Sequence, residues 1–280
     1  MTERTRRVAG AALVGALLLA LFYPVLRWLV GEWLGNDYYS HGPLVPLISA
    51  FFAWRLWSKW PADRRRVTME TAGLALVLVG LAVYVYALVQ RAYFIATLAL
   101  IVILAGVIWY LLGGAALRRL AFPVAFLFFM APLPFVEPLS VPLAQVTGAI
   151  SAAVVRPFGV PLEVNGAQVS LPNAQLVVGA QCSGLRSIVT LLTLVGLVVF
   201  VVDGAWPAKL LLALSSIPIA ALGNVLRVSS LLGVANTWGA ETAFKYYHDY
   251  SGIVFFASAV VLLILFSRWC GCREIREDIF

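Results

Sequence analysis

Residues 71–112 read TAGLALVLVGLAVYVYALVQRAYFIATLALIVILAGVIWYLL, two apolar runs near 71–89 and 92–112 with a single charged side chain, Arg91, between them. About 20 mostly apolar residues at 1.5 Å each cross the hydrocarbon of a bilayer. Each run has that length, so the pair reads as two spanning helices joined by a tight turn.

Working outward, the same pattern recurs near 8–30, 42–58, 121–136, 184–202, 208–231 and 251–267. Two of these segments are interrupted, by Pro43 and Pro46 in one and by Pro123, Pro132 and Pro134 in the other. Composition agrees: of 280 residues 62% are hydrophobic and 12% charged, with mean hydropathy +0.94. Soluble domains carry about 25% charged residues. The expected fold class is therefore an all-α polytopic membrane protein, with about eight transmembrane helices forming a single domain over residues 1–280. The run from Val8 to Val30 exceeds the ~7–15 residues of a signal-peptide core and reads as the first span.

The net charge of +7 does not point to nucleic acid, because the basic residues lie in short clusters between apolar runs, not on a stripe interleaved with aromatics. They report orientation instead. With the amino terminus in the cytoplasm, that side holds Arg4, Arg6, Arg7, Arg55, Lys59, Arg64, Arg65, Arg66, Arg118, Arg119, Lys209, Arg268, Arg273 and Arg276. Arg27, Arg91, Arg156, Arg186, Arg227 and Lys245 are left over. Both termini are then cytoplasmic. The long connection 137–183 becomes an extracytoplasmic loop before the sixth helix, with a surface-lying amphipathic helix over 141–155. Within it, Asn165-Gly166 between alternating residues is a hairpin signal.

Residues able to do chemistry are scarce: His41, His248, Cys182, Cys270 and Cys272 are all the histidines and cysteines. Cys270 and Cys272 sit in the cytoplasmic tail, without a metal-binding spacing. Cys182 stands at the start of the sixth helix, where the dipole favours a thiolate, with Arg186 at i+4 on the same face. Ser183 and Gly184 allow a tight turn beside a substrate. Residue chemistry alone leaves Cys182 either a nucleophile or a small buried apolar side chain.

Arg227, near the outer end of the seventh helix, is a charge in a spanning segment, and such charges mark functional sites or snorkelling side chains. Asn224 lies one turn before it. His248 precedes the last helix, as an acid/base group or as part of an interfacial aromatic belt. The topology brings Cys182, Arg227 and His248 to helix ends on one side of the membrane, the placement that a nucleophile, an oxyanion donor and a proton shuttle need. Two other classes fit less well: a transporter, which would show interrupted helices at matching places in two halves, and an extracytoplasmic acyltransferase with Cys182 structural.

The segments VGAQCSGLRS (178–187), IPIAALGNVLRV (217–228) with Gly223-Asn224-Val225-Leu226-Arg227, and His248 with Gly252 resemble the exosortase/archaeosortase family. So do SHGPLVPLI (40–48) with Trp54, and FPVAFLFFMAPLP (122–134). The similarity covers about residues 36–265. It implies a sortase-like cysteine peptidase or transpeptidase in the cell inner membrane, with its site on the extracytoplasmic face. Its substrates would be exported proteins bearing a carboxy-terminal sorting signal, made of a short motif (Pro-Glu-Pro in the commonest bacterial class), a spanning helix and a basic tail. They would pass through a thioester to water or to an amine acceptor in the envelope. By that resemblance Cys182 is the nucleophile, Arg227 the oxyanion or substrate-positioning group and His248 the acid/base. Arg186, Asn224, Ser183 and His41 are expected to contact substrate. No cofactor, metal or nucleic acid is expected.

Overall fold

The computed structural model describes residues 3–61, 68–166, 168–172, 174–177, 179–277 and 279. Arg64, Arg65 and Arg66, which entered the orientation argument, and Val178 of the cysteine motif lie outside the described residues. The chain divides into two compact units, Met1–Pro132 and Leu133–Phe280.

The first unit contains α1 (Glu3–Gly35), α2 (Leu44–Ser58), α3 (Thr71–Val89), α4 (Tyr93–Leu112), α5 (Gly114–Arg119) and α6 (Ala121–Phe126). The two runs that opened the reading are α3 and α4, and glycine explains their close pairing. A Cβ on Gly73 would lie 2.2 Å from the Tyr110 amide nitrogen, and one on Gly106 would lie 2.9 Å from that of Val77. Small residues of this kind let spanning helices approach backbone to backbone. Elsewhere in the unit, the Trp33 indole donates to the Met130 carbonyl at 2.9 Å. The Ser49 hydroxyl donates to the Pro123 carbonyl.

The second unit contains α7 (Val136–Val155), a three-stranded antiparallel sheet in the order β1 (Glu163–Asn165), β2 (Gln168–Leu171), β3 (Ala174–Val177), then α8 (Leu185–Val201), α9 (Trp206–Thr242) and α10 (His248–Trp269). The Asn165-Gly166 hairpin is where the sequence places it. Asn165 pairs with Gln168, and Gly166 takes φ +61°, as a two-residue hairpin loop requires. Val169, Leu171 and Leu176 turn inward and pack, with Val228, Leu231, Leu232 and Ala235 of α9, into one apolar cluster. Those four α9 positions follow the i, i+3, i+4, i+7 spacing of a single helical face.

Six helices are long and apolar enough to cross a membrane: Gly15–Gly35, Thr71–Val89, Tyr93–Leu112, Val136–Phe158, Trp206–Tyr247 and Tyr250–Trp269. Large apolar side chains such as Leu78, Val85, Leu214 and Leu262 stay exposed along them, as faces solvated by lipid tails do. The remaining expected spans are shorter. The one near 42–58 is the 15-residue α2, and the one near 184–202 is the 17-residue α8. The one near 121–136 is an apolar helix over Ala121–Met130, roughly 15 Å long.

Two boundaries differ from the sequence reading. α7 begins at Val136, before the expected surface helix, and has the length and composition of a span. α9 continues past residue 231 to Thr242, bending at Gly239 (φ +88°) and passing through a π-helical turn, Ala243–Tyr247, into α10.

At the opposite end of these helices the tail folds back. Val202 and Ile275 form an antiparallel bridge, Asp203 N–H donates to Glu274 O at 2.7 Å, and Arg276 N–H donates to Val201 O at 2.9 Å. Cys272 is buried there, with its sulfur 2.7 Å from where a Cβ on Gly204 would fall.

Candidate active site

β3 delivers the chain into a short 3-10 turn, Ala180–Cys182, in which Cys182 N–H donates to Gly179 O at 2.8 Å. Gly184 follows with φ +78° and forms the N-cap of α8. A side chain is excluded at residue 184 twice over. The left-handed backbone favours glycine, and a Cβ would sit 2.8 Å from Asn224 Nδ2. Asn224 closes the arrangement from α9, its Nδ2 donating to the Cys182 carbonyl at 2.7 Å. The cysteine turn is therefore pinned to the middle of α9. Cys182 is 4% exposed, Ser183 5% and Asn224 5%, and the thiol belongs to the same apolar cluster as Val169 and Leu176.

Arg227 lies one turn beyond Asn224. It is not at a helix end, as the sequence reading had it, because α9 runs on to Thr242. The bend at Gly239 and the π turn bring the chain back so that His248 opens α10 beside it. Arg227 Nη2 is 3.2 Å from His248 Nε2 and donates to the His248 carbonyl at 3.1 Å. Its Nε donates to Ser251 Oγ at 3.4 Å, and Ser251 Oγ donates to the same carbonyl at 2.9 Å. A guanidinium has only donors, so the Nε2 facing it carries the lone pair and the imidazole proton sits on Nδ1. Gly252 packs against the guanidinium: a Cβ there would lie 3.4 Å from Arg227 Nη2, in ordinary van der Waals contact.

Charge at the thiol corrects a second expectation. Cys182 lies ahead of α8 instead of on its first turn, and burial pushes its thiol above the ordinary cysteine range. Arg227 acts in the opposite direction and offsets only part of that rise. The resting sulfur is thus a thiol, and a base must take its proton. Thiol reactivity follows the thiolate fraction. Labelling of Cys182 by a membrane-impermeant maleimide should therefore keep climbing through the alkaline range. Arg227→Gln removes the influence that lowers the pKa, so labelling should slow about three- to tenfold at a given pH. Rates independent of pH, or equal in the two proteins, would contradict this electrostatic account.

The remaining candidates divide. Arg186 is exposed near the start of α8, and the left-handed Gly184 between it and Cys182 breaks the common helical face expected for the two. Ser183 Oγ accepts from Leu185 N–H at 3.3 Å, so its hydroxyl serves the local turn. His41 belongs to the first unit, in the turn before α2, where its carbonyl accepts from Leu44 N–H at 3.0 Å. Ser251 was not foreseen; its signal was a hydroxyl one helical turn after His248.

A small crevice opens between α8, α9 and α10. Ser187, Asn224, Arg227 and Gly252 line it near the cysteine turn, and Leu191, Ala220 and Ala259 line it further along the helices. Among the described residues, no group of three or more His, Cys, Asp or Glu side chains is placed to hold a metal ion.

The chain matches the family model described as transmembrane exosortase over residues 33–265. No curated protein and no solved structure matches it.

Proposed function

We propose that this chain, which belongs to the transmembrane exosortase family, is a cysteine peptidase or transpeptidase acting on the carboxy-terminal sorting signal of exported proteins. The observation that carries this reading is the position of Arg227, which hydrogen-bonds to His248 and acts electrostatically on the Cys182 thiol. One guanidinium thereby links a nucleophile to an acid/base group.

In the proposed reaction the scissile carbonyl enters beside Cys182, and the Arg227 guanidinium turns from His248 to the developing oxyanion. His248 Nε2, released from that contact, accepts the thiol proton as sulfur adds to the carbonyl carbon. The imidazolium returns the proton to the leaving amine as the C–N bond breaks. This leaves a thioester on Cys182 and frees the substrate's spanning helix with its basic tail. Water or an amine then attacks the thioester carbonyl, giving up its proton to His248, and the C–S bond breaks to restore the thiol.

The proposed topology keeps both termini in the cytoplasm, with about eight crossings of the cell inner membrane in which α7 replaces the short helix Ala121–Met130 as a span, and puts this chemistry at the extracytoplasmic face. Charge placement supports it. Lys209 precedes Arg227 along α9 by about 27 Å at 1.5 Å per residue, close to the ~30 Å thickness of the hydrocarbon. Arg268, Arg273 and Arg276 follow the far end of α10. Lys209, Arg268, Arg273 and Arg276 thus gather at the ends of α9 and α10 remote from Cys182, as basic residues at cytoplasmic ends do, while Arg156, Arg186, Arg227 and Lys245 remain outside that group.

The test is co-expression with an exported protein carrying a tripartite tail, followed by mass spectrometry of its new carboxy terminus. The reading expects a single cut ahead of the spanning helix, with either a free carboxylate or an amine-linked mass at the new end. A substrate that keeps its tail intact beside the wild-type protein would reject it.

A further inference from the structure

Asn224 has two polar ends, and among the described residues only one has a hydrogen-bond partner. The atom facing the Cys182 carbonyl must be the donor Nδ2, since two oxygens would repel, and the 2.7 Å contact fixes the amide's orientation. Oδ1 is then turned elsewhere. It is buried, with no hydrogen-bond partner among the described residues, on a side chain that is 5% exposed. A buried acceptor left unsatisfied is costly and calls for an explanation. Asn224 also lines the crevice between α8, α9 and α10, directly beside the turn that carries the thiol.

We propose that this crevice is a peptide-backbone subsite in which Asn224 Oδ1 accepts one N–H of the substrate, close to the bond presented to Cys182. The inference rests on the transpeptidase reading and adds to it a specific polarity requirement. What Asn224 lacks is a donor, so a phosphate or carboxylate headgroup, which offers only acceptors, does not satisfy it; an amide N–H does. The same side chain fixes the nucleophile's own carbonyl. Asn224 therefore sets the distance between substrate backbone and thiol, holding one with each end of its amide. Beyond this polar end, Leu191, Ala220 and Ala259 offer a shallow apolar continuation for the aliphatic side chains that follow the motif.

The experiment uses the full chain and a synthetic peptide made of Pro-Glu-Pro, an apolar spanning segment and a basic tail. In a companion series, successive non-proline amide N–H groups around the motif are replaced by ester oxygens. Binding is measured on Cys182→Ala protein, alone and combined with Asn224→Ala or Asn224→Asp. We expect one ester position to weaken binding about three- to tenfold and that penalty to vanish in the Asn224→Ala background, as a coupled pair requires. Asn224→Asp keeps an acceptor while losing the Nδ2 donor, so it retains the penalty; a merely structural role for Asn224 would not discriminate one ester position from the others. Ester penalties indifferent to residue 224, or no penalty at any position, overturn the subsite. A peptide that shows the Asn224-dependent penalty but is never cut by the wild-type protein supports the subsite and rejects the transpeptidase reading. A peptide cut at wild-type rate whose ester penalties ignore Asn224 does the reverse.

Discussion

Cys182→Ala should leave a tripartite-tailed substrate uncut, with processing reduced by about 10³-fold or more. Nothing nearby can replace the sulfur. Cys270 and Cys272 follow the remote end of α10, and Cys272 is buried in the folded-back tail. The substitution should not unfold the protein. It removes one atom from an apolar cluster, while the backbone contacts that shape the turn (Cys182 N–H to Gly179 O, and Asn224 Nδ2 to Cys182 O) do not involve the side chain. Cys182→Ser makes a second check, since it nearly preserves the volume and supplies a far weaker nucleophile. Both variants should accumulate to wild-type levels in the membrane while full-length substrate persists on a gel. Processing by Cys182→Ala at even a tenth of the normal rate would remove the nucleophile assignment.

Arg227 carries the second-largest effect. Removing an oxyanion donor costs about 10²–10³ in kcat, and Arg227→Ala also withdraws the charge that lowers the Cys182 pKa. The pH profile then gives the sign. Burial already holds the thiol above its ordinary range, and without the guanidinium it rises further. The rising limb of activity should accordingly move to more alkaline pH while the maximum falls. Arg227→Lys is the sharper variant. It keeps the charge but not the planar fork that reaches His248 Nε2, the His248 carbonyl and Ser251 Oγ together. It should restore most of the pH position while recovering little of the lost kcat. KM should change by less than about threefold in either variant if Arg227 has the proposed role, since an oxyanion contact forms only in the transition state. Lysine restoring full kcat would reduce Arg227 to a point charge.

The helix pair 71–112 and the Asn-Gly hairpin were legible because local signals decide them: unbroken apolar length in one, a dipeptide suited to positive φ in the other. The cysteine, arginine and histidine stood out because so few other groups could do chemistry. What stayed hidden depended on tertiary packing. A span ending near 136 and a surface helix over 141–155 left Pro138 in the connection between them, yet α7 runs from Val136 to Val155, so Pro138 falls in the first turn where a missing N–H is no loss. The seventh span was expected near 208–231, yet the helix runs on to Thr242. The apolar face over Val228, Leu231, Leu232 and Ala235 continues the helix, because the sheet gives that face something to bury against. The link between Arg227 and His248 depends on the bend at Gly239 and the π turn after it, and no spacing rule anticipates a return of that kind. Cys182 was read as the first residue of a helix because the left-handed conformation of Gly184 is not visible in Cys-Ser-Gly. That is why the thiol was expected to be acidified when burial does the opposite.

The covalent intermediate offers the most direct test of the account. Purified full-length protein, incubated with a tripartite-tailed substrate and quenched in acid, should show by intact mass spectrometry an adduct equal to the substrate portion ahead of the cut. Peptide mapping should place that adduct on Cys182, and neutral hydroxylamine should remove it as it removes thioesters. Active, substrate-cleaving protein that carries no hydroxylamine-labile mass on Cys182 under any quench time would contradict it.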